Sequence, residues 1–100
     1  MQYTLNHSDK VIEISINGRL TFSDAPHFSK ILGELTAGAV RDWTFDLNGL
    51  EFIDSTGMSL FIHIYDLANA DGRQVVLRGS HGLAYEALDR AGFNTLFAFK

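Results

Sequence analysis

Apolar and polar residues alternate with a period of two near the start of the chain. Over "VIEISING", Val11 to Gly18, three isoleucines occupy every second position. This alternation is typical of a β-strand with one buried face. A weaker alternation around Tyr3 to Leu5 precedes it, and the polar run "NHSDK" separates the two. The pattern therefore predicts an N-terminal β-hairpin.

The next segment repeats its apolar residues at helical spacing and predicts a first helix. Ser23 is the predicted N-cap, and Pro26 falls in the first turn, where proline is tolerated. Gly38 is the predicted stop. One apolar stripe results, with these members: Ala25, Phe28, Ile31, Leu32 and Leu35.

Two more segments have helical periodicity. After Asp54, apolar residues lie on two adjoining stripes, which predicts a helix that is covered on more than one side and ends at Gly72. A third helix is predicted to follow Ser80 as its cap and to stop at Gly92. Its apolar residues occupy one face, as expected for a helix that packs on a sheet.

Short apolar runs between the helices predict the remaining strands: "WTFDL" (Trp43 to Leu47), "QVVLR" (Gln74 to Arg78) and "TLFAF" (Thr95 to Phe99). The element order is β-β-α-β-α-β-α-β. Strand, helix and strand in succession over residues 43–78 predict a parallel pair with a right-handed crossover. Together with the hairpin, this predicts an α/β fold with one mixed β-sheet, helices packed on the sheet, and a single domain over residues 1–100.

Composition narrows the functional classes. The chain has 100 residues, of which 46% are hydrophobic, enough for one core. A net charge of −4 with eight Lys and Arg leaves no basic stripe, so nucleic-acid binding is not expected. The apolar region Met58 to Ala70 is short and interrupted by polar residues, so we expect no membrane insertion. Cysteine and a leader pattern are absent, which suits the cytoplasm. No cofactor site is visible.

Functional residues of open α/β sheets collect at the carboxyl ends of the strands. The segments Leu20 to Asp24 and Asn48 to Ser55 are predicted loops of this kind, and both could lie on one edge. A serine hydrolase based on Ser55 is disfavoured, because no G-x-S-x-G elbow is present and His63 is roughly 12 Å away by helical rise.

A phospho-accepting aspartate at Asp46 or Asp54 is also disfavoured, since the chain has no second acidic cluster to hold magnesium. The plainest interpretation of "IDSTG" is a helix cap worth about 1 kcal/mol. Gly57 in the first helical turn favours a close approach instead, because glycine costs helix stability. From the residues alone, two interpretations of this segment are equally supported: a helix cap without further function, and a functional site.

The segment "TFDLNGLEFIDSTGMSLFIHI" resembles the signature of the STAS family, named for sulfate transporters and anti-sigma factor antagonists. "INGRLTFSDAPHF" and "SHGLAYEALDRAGFNTLFAF" resemble other parts of that family, so the resemblance covers nearly the whole chain. It implies a bacterial anti-sigma factor antagonist, a binding module and not an enzyme. Ser55 would be phosphorylated by an anti-sigma factor that is also a serine kinase, with Thr56 as the alternative acceptor, and a serine phosphatase would reset it. The unphosphorylated form would bind the anti-sigma factor and release a sigma factor.

The resemblance also implies a partner-binding surface, with these members: Thr21, Phe22, Ser23, Asp54, Ser55, Thr56, Gly57 and Met58. Some positions depart from the family pattern: Thr21 stands where members often have an acid, and Thr56 where they often have serine. Some STAS proteins are never phosphorylated and serve in membrane transport or signalling complexes, which is the alternative function.

The remaining candidates are weaker. His63 is expected to be a packing or surface residue rather than a ligand. Phe22 and Phe52 are expected in the core or as exposed contacts near the site. The charged residues of the second half are expected to be solvated, and these are Asp66, Asp71, Arg73 and Arg78.

Overall fold

The computed structural model describes residues 1–38 and 40–100. Its longest strand, β2 (Val11–Leu20), is antiparallel to β1 (Gln2–His7), with Leu5 opposite Ile14. The hairpin predicted from the alternation is confirmed. Its three isoleucines are fully buried, because the period of two places them all on one face of the sheet.

Parallel strands extend the sheet from the other side of β2. They are β3 (Asp42–Asp46), β5 (Val75–Arg78) and β6 (Ala98–Phe99), and the order across the sheet is β1-β2-β3-β5-β6. The helices between them are α1 (Ala25–Thr36), α2 (Ser55–Asp71) and α3 (Gly82–Arg90). The mixed sheet, the parallel crossover and the α/β class are therefore confirmed.

One further strand, β4 (Leu50–Ile53), lies in the segment that the sequence predicted as a loop. It runs parallel to the last residues of β2, with Leu20 opposite Ile53. β2 has ten residues and pairs with β3 only over Val11 to Ser15, so its final residues have a free edge. Four residues are too few to show a period, and for this reason the sequence pattern missed β4.

Three predicted helix and strand boundaries are wrong. The N-cap position of α1 is Asp24, after a 3₁₀ turn, Phe22–Asp24, and not Ser23; the Asp24 side chain makes no capping hydrogen bond to the helix. The N-cap position of α3 is His81 and not Ser80, and the His81 side chain makes no capping hydrogen bond. The final strand is shorter than predicted, because Phe93–Thr95 form another 3₁₀ turn. Gly72 ends α2 with a φ of 71°, as predicted for a left-handed cap.

The core is formed between one face of the sheet and the helices. Phe61 of α2 is its centre: its ring centroid is 5.3 Å from that of Phe45 in β3 and 6.3 Å from that of Phe28 in α1. All three phenylalanines are fully buried. Burial of each contributes roughly 1.5–3 kcal/mol, so this cluster fixes α1 and α2 on the sheet.

Arg73 corrects the expectation of a solvated charge, because it is only 7% exposed. Its Nη1 donates to the carbonyl oxygens of Leu35 and Arg41, both at 3.2 Å, and its guanidinium lies 4.8 Å from the ring of Trp43. The left-handed turn at Gly72 directs the chain back toward the end of α1. Arg73 therefore satisfies a carbonyl in the last turn of that helix.

The opposite face of the sheet carries an ionic cluster. Arg78 Nη2 lies 3.0 Å from Glu13 Oε2 and 3.4 Å from Asp46 Oδ2. Hydrogen bonds from the backbone N–H of Asn48, at 3.0 Å, and from its side-chain amide, at 2.7 Å, together with Arg78, hold the pKa of Asp46 below its ordinary value of 3.8. The charged form of Asp46 is thus preferred in the folded state.

The free energy of unfolding should depend on pH through the titration of Asp46. A folded-state pKa below the unfolded one, about 3.9, stabilises the fold above pH 4, and this contribution is lost as pH falls through the folded pKa. Asp46→Asn cannot titrate, so the stability difference between wild type and variant should shrink as pH falls from 6 to about 3. Urea unfolding at several pH values measures this difference. A difference that stays constant over that range would contradict the assignment.

Candidate docking site at the start of α2

Two chain segments meet where β2 and β4 end. Because these strands are parallel neighbours, the residues that follow them lie at the same edge of the sheet. The N–H of Asp54 donates to the carbonyl oxygen of Leu20 at 3.2 Å. The expectation that the two predicted loops share one edge is confirmed.

Asp54 joins the two segments through its side chain. Oδ1 accepts from the N–H of Gly57 at 2.8 Å, which caps α2. Oδ2 accepts from the N–H of Phe22 at 3.0 Å, across 32 residues of sequence. One carboxylate thus caps the helix and fixes the position of the neighbouring turn. The sequence predicted the cap but missed the second contact, for which it contains no local signal.

Ser55 is the first residue of α2, and its side chain is exposed. Within residues 1–38 and 40–100, its hydroxyl has no hydrogen-bond partner, since Asp54 already performs the capping. The Ser55 carbonyl accepts from the Ser59 hydroxyl at 3.0 Å, and Thr56 is half-buried. Of the two candidate acceptors, Ser55 is therefore the more accessible.

Gly57 is buried and offers no surface to a partner. A Cβ there would lie 2.7 Å from Ile53 Cγ1 and 2.8 Å from the carbonyl oxygen of Leu20. The close approach predicted at Gly57 is real, but the approaching groups belong to the protein's own strands. Glycine lets the start of α2 pack directly on the ends of β2 and β4.

The turn after β2 displays an aromatic side chain beside Ser55's segment. Phe22 is 73% exposed, whereas the adjacent Asp24 is 5% exposed. Asp24 Oδ2 accepts from the N–H of Thr21 at 2.9 Å, and the hydroxyls of Thr21 and Ser23 lie 3.0 Å apart. A tightly bonded turn thus holds an apolar ring in solvent, so Phe22 is not a core residue.

The other candidates are less available. Met58 is half-buried and packs against the core. Phe52 is also half-buried, with the guanidinium of Arg19 4.3 Å from its ring centroid. The Arg19–Phe52 pair follows from the register of β2 and β4, which the sequence pattern missed. We define the docking surface as Phe22, Ser23, Asp54 and Ser55.

The chemistry of this surface is that of an exposed hydroxyl at a helix N-terminus. His63 is exposed on α2, two turns along the helix from Ser55, and so is not placed as a base for its hydroxyl. Among the described residues, no group of three or more His, Asp or Glu could hold a metal ion. In that same part of the chain, no helix has the length and apolar character needed to cross a membrane.

Known proteins resemble this chain in sequence and in fold. The family model described as "Mlab, STAS domain" matches residues 3–98. The anti-sigma-B factor antagonist of Staphylococcus aureus is 25% identical over 71 residues, which is 71% of this chain and 66% of that relative. The chain thus matches slightly less than two thirds of the relative's length.

Two solved structures share the fold. An anti-sigma factor antagonist from Mycobacterium paratuberculosis superimposes with a TM-score of 0.80 at 22% identity, covering 98% of this chain and 83% of that one. A sulfate transporter family protein from Wolinella succinogenes has a TM-score of 0.74 at 25% identity, covering 89% and 75%. Since the family model spans nearly the whole chain, this protein belongs to the STAS domain family.

Proposed function

We propose that this domain is a cytoplasmic anti-sigma factor antagonist whose binding is switched off by phosphorylation of Ser55. The observation that carries the proposal is the exposed Ser55 hydroxyl, which has no hydrogen-bond partner among the described residues because Asp54 caps α2, beside the exposed ring of Phe22. The relative from Staphylococcus aureus, an anti-sigma-B factor antagonist, supports the partner class. The domain is then a kinase substrate and a binding module, not an enzyme.

Phosphorylation would change the domain itself very little. The kinase moves the γ-phosphoryl group of ATP to Ser55 Oγ, which loses its proton, and ADP leaves. The phosphate adds a charge of about −1.5 to −2 at the start of α2, where the helix dipole favours it by roughly 0.3–1 kcal/mol. The Asp54 carboxylate next to it opposes the charge by a similar amount. Since the two effects partly cancel, we expect no refolding.

Phosphorylation of Ser55 should act mainly on the interface with the anti-sigma partner. The unphosphorylated surface presents a neutral hydroxyl and an aromatic ring, which a partner can cover without burying a net charge at Ser55. A phosphate at this position would have to be buried unpaired or be paired by new cations. Leaving a charge unpaired in an interface costs roughly 3–5 kcal/mol. Phosphorylation thus separates the complex, and a serine phosphatase restores it.

The acceptor test is direct. Incubation with ATP and the anti-sigma factor kinase of the source organism should label Ser55, and phosphopeptide mapping should locate the label there. Ser55→Ala should abolish labelling and retain binding, because alanine removes only an unbonded hydroxyl. Thr56→Val and Ser59→Ala are matched controls that should remain labelled. Label on Thr56 or Ser59, with none on Ser55, would refute the proposed acceptor.

The second candidate function is a non-phosphorylated subunit of a membrane transport or signalling complex. The 25% identity to a sulfate transporter family protein favours it, because that relative also has a STAS-like fold. In this case no kinase should modify Ser55, and affinity purification should recover an ATPase or a scaffold protein. A purified complex with an anti-sigma factor would decide in favour of the first function.

A further inference from the structure

The outer edge of β1 is free of any partner strand among the described residues. The N–H of Ser8 donates to the carbonyl oxygen of Val11, so these two residues form a hydrogen-bonded pair of the hairpin. Such pairs alternate along an antiparallel ladder, so Asn6, Thr4 and Gln2 bond to β2. The N–H and C=O groups of the intervening residues, Tyr3, Leu5 and His7, therefore point outward.

This edge lacks the devices that usually prevent strand addition. The strand reads "QYTLNH", without Lys, Pro or any carboxylate, and its pairing with β2 is regular over all six residues. The other end of the sheet differs, because β6 has only two residues. Tyr3 and Leu5 pack against the core while still half-exposed, so they have apolar surface left to bury.

We propose that β1 pairs with β1 of a second copy of this chain, antiparallel and centred on Leu5. In that register Leu5 faces the partner's Leu5, and Tyr3 faces the partner's His7 on the same side of the sheet. Thr4 faces the partner's Asn6 on the other side. Each of the three outward-pointing residues enters a hydrogen-bonded pair, and each pair exchanges two backbone bonds.

A second copy is the occupant that these residues fit. A two-fold axis requires a strand to complement itself. In this register Leu5 faces Leu5, the ring of Tyr3 faces the imidazole of His7, and the hydroxyl of Thr4 faces the side-chain amide of Asn6. No like charges oppose each other, although the whole chain carries −4. A six-residue strand pair is a small interface, so dimerisation should depend on concentration.

The dimer and the Ser55 site are separable. The axis at Leu5 makes the two copies of β2 run in opposite directions, so the two docking surfaces, each at the carboxyl end of its own β2, lie on opposite edges of the continuous sheet. A dimer would thus carry two independent sites for an anti-sigma partner. Variants of Leu5 should leave partner binding per chain unchanged, and this distinguishes failure of the dimer from failure of the proposed function.

Charged substitutions of Leu5, the residue on the two-fold axis, test the proposed β1–β1 pairing. In sedimentation equilibrium, the wild-type mass should rise from 11.1 kDa toward twice that value with concentration. Leu5→Lys and Leu5→Glu each place like charges opposite one another and should weaken association at least about tenfold. An equimolar mixture of the two variants should restore it. A wild type that remains monomeric at roughly 1 mM would overturn the proposal, as would dimers that persist in either variant alone.

A backbone variant covers the case in which Leu5 substitutions unfold the chain. His7→Pro removes an outward N–H and no bond to β2, so the fold should be retained. Its association should weaken at least about tenfold, whereas His7→Ala, which keeps the N–H, should weaken it less. Equal association of His7→Pro and wild type, both folded by circular dichroism, would refute the pairing.

Discussion

Ser55→Asp should weaken binding to the anti-sigma partner at least about hundredfold, while thermal unfolding stays within a few degrees of wild type. The carboxylate introduces a charge at the start of α2, where the Ser55 hydroxyl is exposed on the docking surface. Hundredfold corresponds to about 2.7 kcal/mol, which is less than the cost of an unpaired buried charge. Isothermal titration calorimetry with the purified partner measures the change.

Two variants make this test specific. Asn69→Asp adds the same charge on α2 but lies about 21 Å from Ser55 by helical rise, so its binding should remain within about threefold of wild type. Ser55→Ala should bind as wild type does. Tight binding by Ser55→Asp would contradict a switch at this residue and would favour the transport or signalling subunit. Equal losses in Ser55→Asp and Asn69→Asp would point to a general charge effect.

Gly57→Ala should be the most damaging single-methyl substitution in the site. The new Cβ would lie 2.8 Å from the Leu20 carbonyl oxygen, which belongs to the backbone and cannot rotate away. The start of α2 would have to move, which strains the Asp54 contacts to Leu20 and Phe22. We expect a loss of about 1–3 kcal/mol, or a Tm lower by roughly 4–8 °C per kcal/mol. Thermal and urea unfolding give both values.

Gly33→Ala is the matched control. Gly33 lies inside α1, and among the described residues a Cβ there would meet nothing within 4 Å outside its own helix backbone and chain neighbours. Alanine is the better helix former, so this variant should gain roughly 0.5–1 kcal/mol. Opposite signs for the two substitutions would establish that packing, and not helix propensity, decides the role of Gly57. A Gly57→Ala protein as stable as wild type would refute the packing role of Gly57.

Local periodicity accounts for the elements that could be predicted. The isoleucines of β2 and the stripes of α1 and α2 repeat often enough to identify a strand and two helices. The failures are local as well. β4 has four residues, and Ser80 is a good capping residue in the wrong position, one residue before the observed cap at His81. Helix ends vary by one or two residues, so a good capping residue in the sequence does not by itself fix the first residue of a helix.

In the candidate site, too, some features follow from local sequence and others only from tertiary structure. Ser55 behind Asp54, at the start of a helix, could be identified from "IDSTG" and its setting. The contact from Asp54 to Phe22 could not, because it depends on β4 pairing beside the end of β2. For the same reason the sequence predicts an approach by a partner at Gly57, whereas the space there is taken up by Leu20 and Ile53.

The sequence by itself determined the order of the three helices and of every strand except β4, the α/β class and the position of a serine at the first turn of α2. These follow from side-chain periods and capping preferences that act over a few residues. Only the tertiary structure decided that Ser55 is exposed while Asp54 caps α2, that Phe22 stands in solvent beside its segment, and that Arg73 is buried. These features depend on register and packing between residues far apart in the chain, for which no local pattern carries a signal.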